Sequence, residues 1–187
     1  MKKKLLIMLL TILIVMAMCS GCAKEEEYNI PVEIYTFTDV DSLDDAQKEL
    51  FIRQLEYNLS AAEKDKSISE GEYNKDTEMI LFSFTEEQKE SYIATLENHV
   101  KSGDAVFFSN GAYEVKGYSD DYRKLTINIS DKETLDRCMS YLHSEVGGLI
   151  QLQILSGTDY SETKVTVEIN YNDGTQDVRD YTWNTVY

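Results

Sequence analysis

Met79-Ile-Leu-Phe-Ser-Phe84 followed by Thr85-Glu-Glu-Gln88 is the stretch on which the fold turns. Apolar and aromatic residues dominate its first six positions, which predicts a strand. The next four have the form of a capping box. The Thr85 hydroxyl and the Gln88 side chain each satisfy a backbone N–H that the first turn of a helix leaves unpaired. Tyr92, Ile93, Leu96 and Val100 then recur at helical spacing, and Gly103 ends the helix. A second copy of this grammar follows. Leu125, Ile127 and Ile129 alternate over 124–129, Ser130-Asp-Lys-Glu133 has the same capping form, and Leu135, Cys138, Met139, Leu142 and Val146 make a stripe that Gly147-Gly148 stops. In both copies the terminal glycine stands 18 positions after the cap.

Between the copies, 105–108 and 112–118 flank Asn110-Gly111, the pair that a type I′ hairpin turn requires, and Ser119-Asp-Asp-Tyr122 turns the chain again. Beyond the second helix, Ile150, Leu152 and Ile154 alternate with Gln151 and Gln153 and predict a strand. Val165, Val167, Ile169 and Tyr171 predict another, and Asn172-Asp173-Gly174 closes a hairpin onto 176–183. Upstream, 30–37 is β-branched and aromatic and reads as a strand, with Pro31 at its start or on an edge. A helix over 43–63, capped by Asp41 or Ser42, presents Leu43, Ala46, Leu50, Phe51, Leu55, Leu59 and Ala62, and 64–77 reads as a loop. From 79 onward the order is strand, helix, strand, strand, helix, strand. The expectation is an α+β domain with a ferredoxin-like βαββαβ core, an N-terminal βα unit and an added C-terminal β-hairpin. Its sheet is mostly antiparallel, with helices on one side and the other solvated.

The start of the chain sets its expected location. Lys2, Lys3 and Lys4 precede a 14-residue run over 5–18 broken by Thr11, and Cys19-Ser20-Gly21-Cys22 follows. A spanning helix needs roughly 17 to 25 residues, so the run is too short for a permanent anchor and suits a cleavable secretory signal, 1–21. Ser20 and Gly21 before Cys22 resemble the lipobox of bacterial lipoproteins. That resemblance implies cleavage ahead of a Cys22 carrying a diacylglyceryl thioether and fatty-acyl (palmitate-type) chains, at the outer face of a bacterial cell membrane. Two acyl chains suffice for stable anchoring. Residues 22–28 then form the lipidated cysteine and a charged tether, and 29–187 a single domain.

Losing the three lysines of 1–21 moves the formal net charge from −16 to −19. Nucleic acid and anionic headgroups attract clustered Lys and Arg, so neither is the expected partner. The membrane is then reached through the lipid, and the balance suits solubility, cationic ligands or basic proteins. With Cys22 blocked, Cys138 is left without an internal disulfide partner.

Few constellations carry chemistry. Asp39 and Asp41 in Phe37-Thr-Asp-Val-Asp-Ser-Leu43 resemble the first motif of haloacid-dehalogenase-type phosphatases. This resemblance implies Asp39 as nucleophile, Asp41 as acid and Asp120 or Asp121 completing a Mg²⁺ site. Asp39, Asp41, Asp44 and Asp45 also suit a helix N-terminus, which is the preferred reading, with no metal and no cofactor. His99 and His143 fall near the C-terminal ends of the twin helices, hence at opposite ends of an antiparallel pair. Of 13 tyrosines, Tyr113, Tyr118 and Tyr122 gather beside Asp120 and Asp121, and rigid amphipathic rings are what contact surfaces favour. The leading expectation is a non-enzymatic, lipid-anchored module that binds a protein or an envelope ligand, of basic character, through this hairpin or an open sheet face. The alternatives are the phosphatase and a self-protection protein that neutralises a basic toxin.

Overall fold

The structure is a computed structural model and describes residues 24–102 and 113–186. In chain order the elements are strand β1 (Glu26–Pro31), helix α1 (Val32–Thr36), helix α2 (Asp45–Lys64), strands β2 (Glu70–Asn74) and β3 (Met79–Phe84) and helix α3 (Glu86–Ser102). Strands β4 (Tyr113–Tyr118) and β5 (Lys124–Ile129), helices α4 (Lys132–Arg137) and α5 (Met139–Leu155) and strands β6 (Lys164–Tyr171) and β7 (Gln176–Thr182) complete it. Short 3₁₀ turns lie at Val40–Ser42 and Tyr160–Glu162. The class is α+β, as expected, and β3 to β6 follow the βαββαβ order, with β7 closing the C-terminal hairpin.

The strands divide into two sheets: β1-β3-β2, wholly antiparallel, and β4-β5-β6-β7, parallel only between β5 and β6. A parallel neighbour cannot be reached by a tight turn, and α4 with α5 supplies the crossover. The outer face of the four-stranded sheet is solvated, as expected. It carries Lys124–Glu168 at 2.7 Å, Lys164–Asp180 at 2.9 Å and Thr166 donating to Asp180 at 2.7 Å. Such exposed pairs each contribute at most about 1 kcal/mol, so the sheet is held by its other face. There Leu125, Ile127, Ile129, Val165, Val167 and Ile169 are fully buried.

The main departure from expectation is α5. Gly147-Gly148 does not stop it, and 150–154 is helix, not strand. Every residue of 145–155 is buried, so the segment has no exposed face to reveal a 3.6-residue period. Its Ile-Gln-Leu-Gln-Ile order mimics strand alternation because a short apolar run cannot be told from a buried helix by period alone. The two glycines serve close packing. A Cβ on Gly147 would lie 2.9 Å from the Phe37 ring, and one on Gly148 3.0 Å from Val100 Cγ2. The Gly148 notch lets α3 pack antiparallel on α5, so that Tyr92 meets Gln151 and His99 meets Ser144.

Gln151 and Gln153, buried on this helix, act as cross-links. Gln151 Nε2 donates to the Ile34 carbonyl at 2.7 Å while its Oε1 accepts from the Tyr92 hydroxyl at 2.7 Å. Gln153 Nε2 donates to the carbonyls of Tyr122 (2.9 Å) and Lys164 (3.1 Å), and its Oε1 accepts from the Lys164 N–H at 3.2 Å. One helix thus ties α1 and α3 to the 119–122 turn and β6.

Smaller corrections have local causes. The stretch read as a strand over 30–37 is β1 ending at Pro31 and then α1, because β1 pairs with β3 over 26–31 and Val32 and Ile34 turn into the core. Glu26 to Tyr28, expected in the tether, therefore belong to β1, where Glu26 accepts from Tyr28 at 2.6 Å and pairs with Lys89 at 2.7 Å. The 64–77 loop contains β2, whose exposed Glu70, Glu72 and Asn74 hid its alternation. Asp44 and Gln47 form the capping box of α2 in place of Asp41 or Ser42, and Leu50 stands 66% exposed, off the face that Leu55 and Leu59 bury. The Thr85–Gln88 box is formed, at 2.8 and 3.3 Å, whereas α4 is capped by Asp131 through the Thr134 N–H at 2.8 Å. The expected strand at 105–108, the Asn110-Gly111 turn, the stop at Gly103 and the lipidation site Cys22 lie outside the described residues.

Replacing Gln151 by Leu is expected to lower unfolding stability by about 1–3 kcal/mol, because the Ile34 carbonyl and the Tyr92 hydroxyl lose a buried partner. Urea titration of the two proteins checks this, and a stability equal to or above that of the parent refutes the cross-linking role.

Candidate functional site

β4 ends in a bulge, with the register against β5 shifting between Val115 and Gly117, and Gly117 sits at φ +153°. Strict alternation would send Tyr118 to the outer face. The inserted residue sets it opposite Leu125 instead, on the core side and beside the C-terminal part of α3. The turn that follows is held by its own polar groups. Ser119 Oγ accepts from the N–H groups of Arg123 (3.2 Å) and Lys124 (3.0 Å), and the Tyr122 N–H donates to the Ser119 carbonyl at 2.9 Å. Asp121 accepts from the Ser119 hydroxyl and the Arg123 N–H, and these two bonds hold its carboxyl below the usual carboxylate range.

Tyr122 lies at φ +58°, a left-handed conformation that costs a bulky residue on the order of 1 kcal/mol or more. Three contacts hold it there. Its hydroxyl donates to Glu97 Oε1 at 2.9 Å, its ring centroid lies 5.8 Å from that of Tyr118, and its carbonyl accepts from Gln153. Lys101 Nζ stands 5.7 Å from the Tyr118 centroid. Glu97, Lys101, Lys116, Tyr118, Asp120 and Tyr122 line a recess of about 440 Å³. Burial, then the Glu97 hydrogen bond, pushes the Tyr122 hydroxyl up to about 12.

The structure thus brings together Tyr118, Asp120, Asp121 and Tyr122. Tyr113 does not join them. It is 7% exposed at the far end of β4, and its hydroxyl donates to the buried Glu145 carboxylate on α5. Tyr113 precedes the bulge and faces the core by plain alternation. No sequence pattern singled out Glu145, because a lone acid in a helix reads as a surface residue until the helix is known to be buried.

Asp39 caps the Val40–Ser42 turn through the Ser42 N–H at 3.1 Å, and Asp41 faces Lys48 at 3.5 Å. Burial raises the neighbouring Glu33 above the usual carboxylate range, and the charges of Asp41 and Asp39 add to it. Among the described residues no three acids, histidines or cysteines are grouped to hold a metal, so Asp120 and Asp121 do not complete a site with Asp39 and Asp41. The histidines also differ from expectation. Because α5 begins at Met139, His143 lies in its first turns, beside the Ser144 that meets His99 Nε2 at 2.9 Å, so both imidazoles lie toward one end of the helix pair. His99 stacks on Phe37 at 5.4 Å, while His143 meets the edge of Tyr181 at 5.9 Å. Burial first, then the Arg179 charge, lowers the His143 pKa. Cys138 is fully buried at the α4–α5 junction, and that burial raises its thiol.

Among the described residues no helix is long and apolar enough to cross a membrane. No protein-family model matches the sequence, and neither the curated proteins nor the solved structures contain a match to it.

A phenol that ionises near 10 when unfolded and near 12 when folded keeps its proton longer in the folded state. Its contribution is therefore intact below pH 10 and is lost as pH rises through about 12. Denaturation midpoints measured across this window are expected to fall with pH, and Tyr122→Phe is expected to remove part of that slope.

Proposed function

We propose that the chain is a non-enzymatic binding module, held at the outer face of a cell membrane by lipid on Cys22, that engages a protein partner through Tyr118 and Tyr122. The observation that carries the reading is Tyr122, kept in a left-handed conformation against the Tyr118 ring. Strain of this kind persists only where surrounding contacts over-determine it, and it gathers at binding and switch sites. Two rings fixed before contact lose little side-chain freedom on binding, which is why Tyr anchors interfaces. Asp120 beside them and the strongly negative chain favour a partner with a basic surface. The lipobox-like Cys19-Ser20-Gly21-Cys22 supports the anchor.

Cross-linking on intact cells, followed by membrane fractionation, tests both parts. Cys22→Ala is expected to move the protein from the membrane to the soluble fraction. Tyr118→Ala and Tyr122→Ala are expected to leave fractionation unchanged and to weaken partner capture by about thirtyfold, the effect of losing a contact worth about 2 kcal/mol. Unchanged capture by both tyrosine variants removes the site, and unchanged fractionation of Cys22→Ala removes the anchor.

A further inference from the structure

The three-stranded sheet has a second face that its helices leave open. Across it run the rows Asn29–Leu81–Glu72 and Pro31–Met79–Asn74, with Glu27 beside Ser83 in the next row. Apolar side chains of the central strand therefore lie between polar and acidic edges. The chain from the end of α5 to Tyr160 forms the opposite wall, and together they enclose a groove of about 690 Å³. Sites for small organic ligands commonly span about 300–1,000 Å³.

Every formal charge on this groove has one sign. Glu27, Glu72 and Asp159 line it, and no Lys or Arg is among its described lining residues. Neither Glu27 nor Glu72 has an ion-pair partner among the described residues, whereas Glu26, Glu97, Glu114 and Glu168 all do. Asp159 accepts from the Ser161 N–H at 2.9 Å and from its hydroxyl, and these bonds keep it ionised. Met79, Leu81 and Ile154 supply an apolar floor beneath the carboxylates.

We infer that this groove binds a small organic cation with two or more ammonium groups on an alkyl chain, of the diamine and polyamine class. The methylene stem lies on Met79, Leu81 and Ile154, and the ammonium groups reach the carboxylates of Glu27, Glu72 and Asp159. The site shares no residue with the tyrosine recess and does not depend on the reading given to it.

The chain carries its own reporter. Trp183 is its single tryptophan, and its ring meets that of Tyr160, a groove residue, edge-on at 5.3 Å. Spermidine titrated into the full chain at low salt is expected to give a saturating change in Trp183 fluorescence and a saturating one-site heat by calorimetry. Glu27→Gln and Glu72→Gln are each expected to weaken binding by roughly fivefold, the scale of one exposed charge pair, while Glu114→Gln on the other sheet leaves it unchanged. Octane-1,8-diol, and Mg²⁺ at matched ionic strength, are expected to give no saturation. Absence of a saturating heat overturns the assignment, as does binding by the Glu27 and Glu72 variants as tight as that of the parent. Saturation by Mg²⁺ with the same affinity shows simple counter-ion condensation. Tighter binding of tetralysine, with the same dependence on Glu27 and Glu72, overturns it in favour of a basic peptide.

Discussion

A helix buried on every side is the constraint from which this molecule is built. Over 145–155 α5 has no solvated face, so each polar group on it must find a partner inside the protein. Gln151 and Gln153 meet that demand with bonds to Ile34, Tyr92, Tyr122 and Lys164. These bonds do more than offset desolvation. Those to Ile34, Tyr92 and Tyr122 join α5 to elements distant in the chain, so a slide of the helix by one residue would break several of them while the apolar contacts merely rearranged. Gly147 and Gly148 permit the close approach of Phe37 and α3 that brings those partners within reach.

The same cross-link reaches the surface. Gln153 holds the carbonyl of Tyr122, α3 holds its hydroxyl through Glu97, and the β4 bulge delivers Tyr118 beside it. Core packing, a strained backbone and an aromatic recess therefore form one mechanical unit. Its rigidity comes from the buried helix, which is why an otherwise costly left-handed tyrosine persists in a turn at the domain surface.

Charge is distributed as unevenly as polarity. On the outer face of the four-stranded sheet acids and lysines interleave, and their pairs leave little net field. Among the described residues the open face of the three-stranded sheet carries no such pair, and Glu27, Glu72 and Asp159 line it without a Lys or Arg beside them. Two solvated sheet faces in one domain thus present different chemistry, one neutralised within the sheet and the other suited to a cation.

The α+β class, the alternation of β5 and β6, the capping box at Thr85 and the turn at 119–122 were legible in the residues. Each rests on a local rule, either side-chain period or hydrogen bonding within four residues. The grouping of Tyr118, Asp120, Asp121 and Tyr122 followed from adjacency in the chain. Exclusion of Tyr113 did not, because the bulge turns Tyr118 to the same core side as Tyr113, and what sets Tyr113 apart is its burial against Glu145 at the far end of β4. The helical state of 150–154, the division of the strands into two sheets and the partners of Gln151 and Gln153 were decided by tertiary structure alone. A segment enclosed on all sides has no solvent boundary to impress a period on its sequence, so only the elements that surround it determine its conformation.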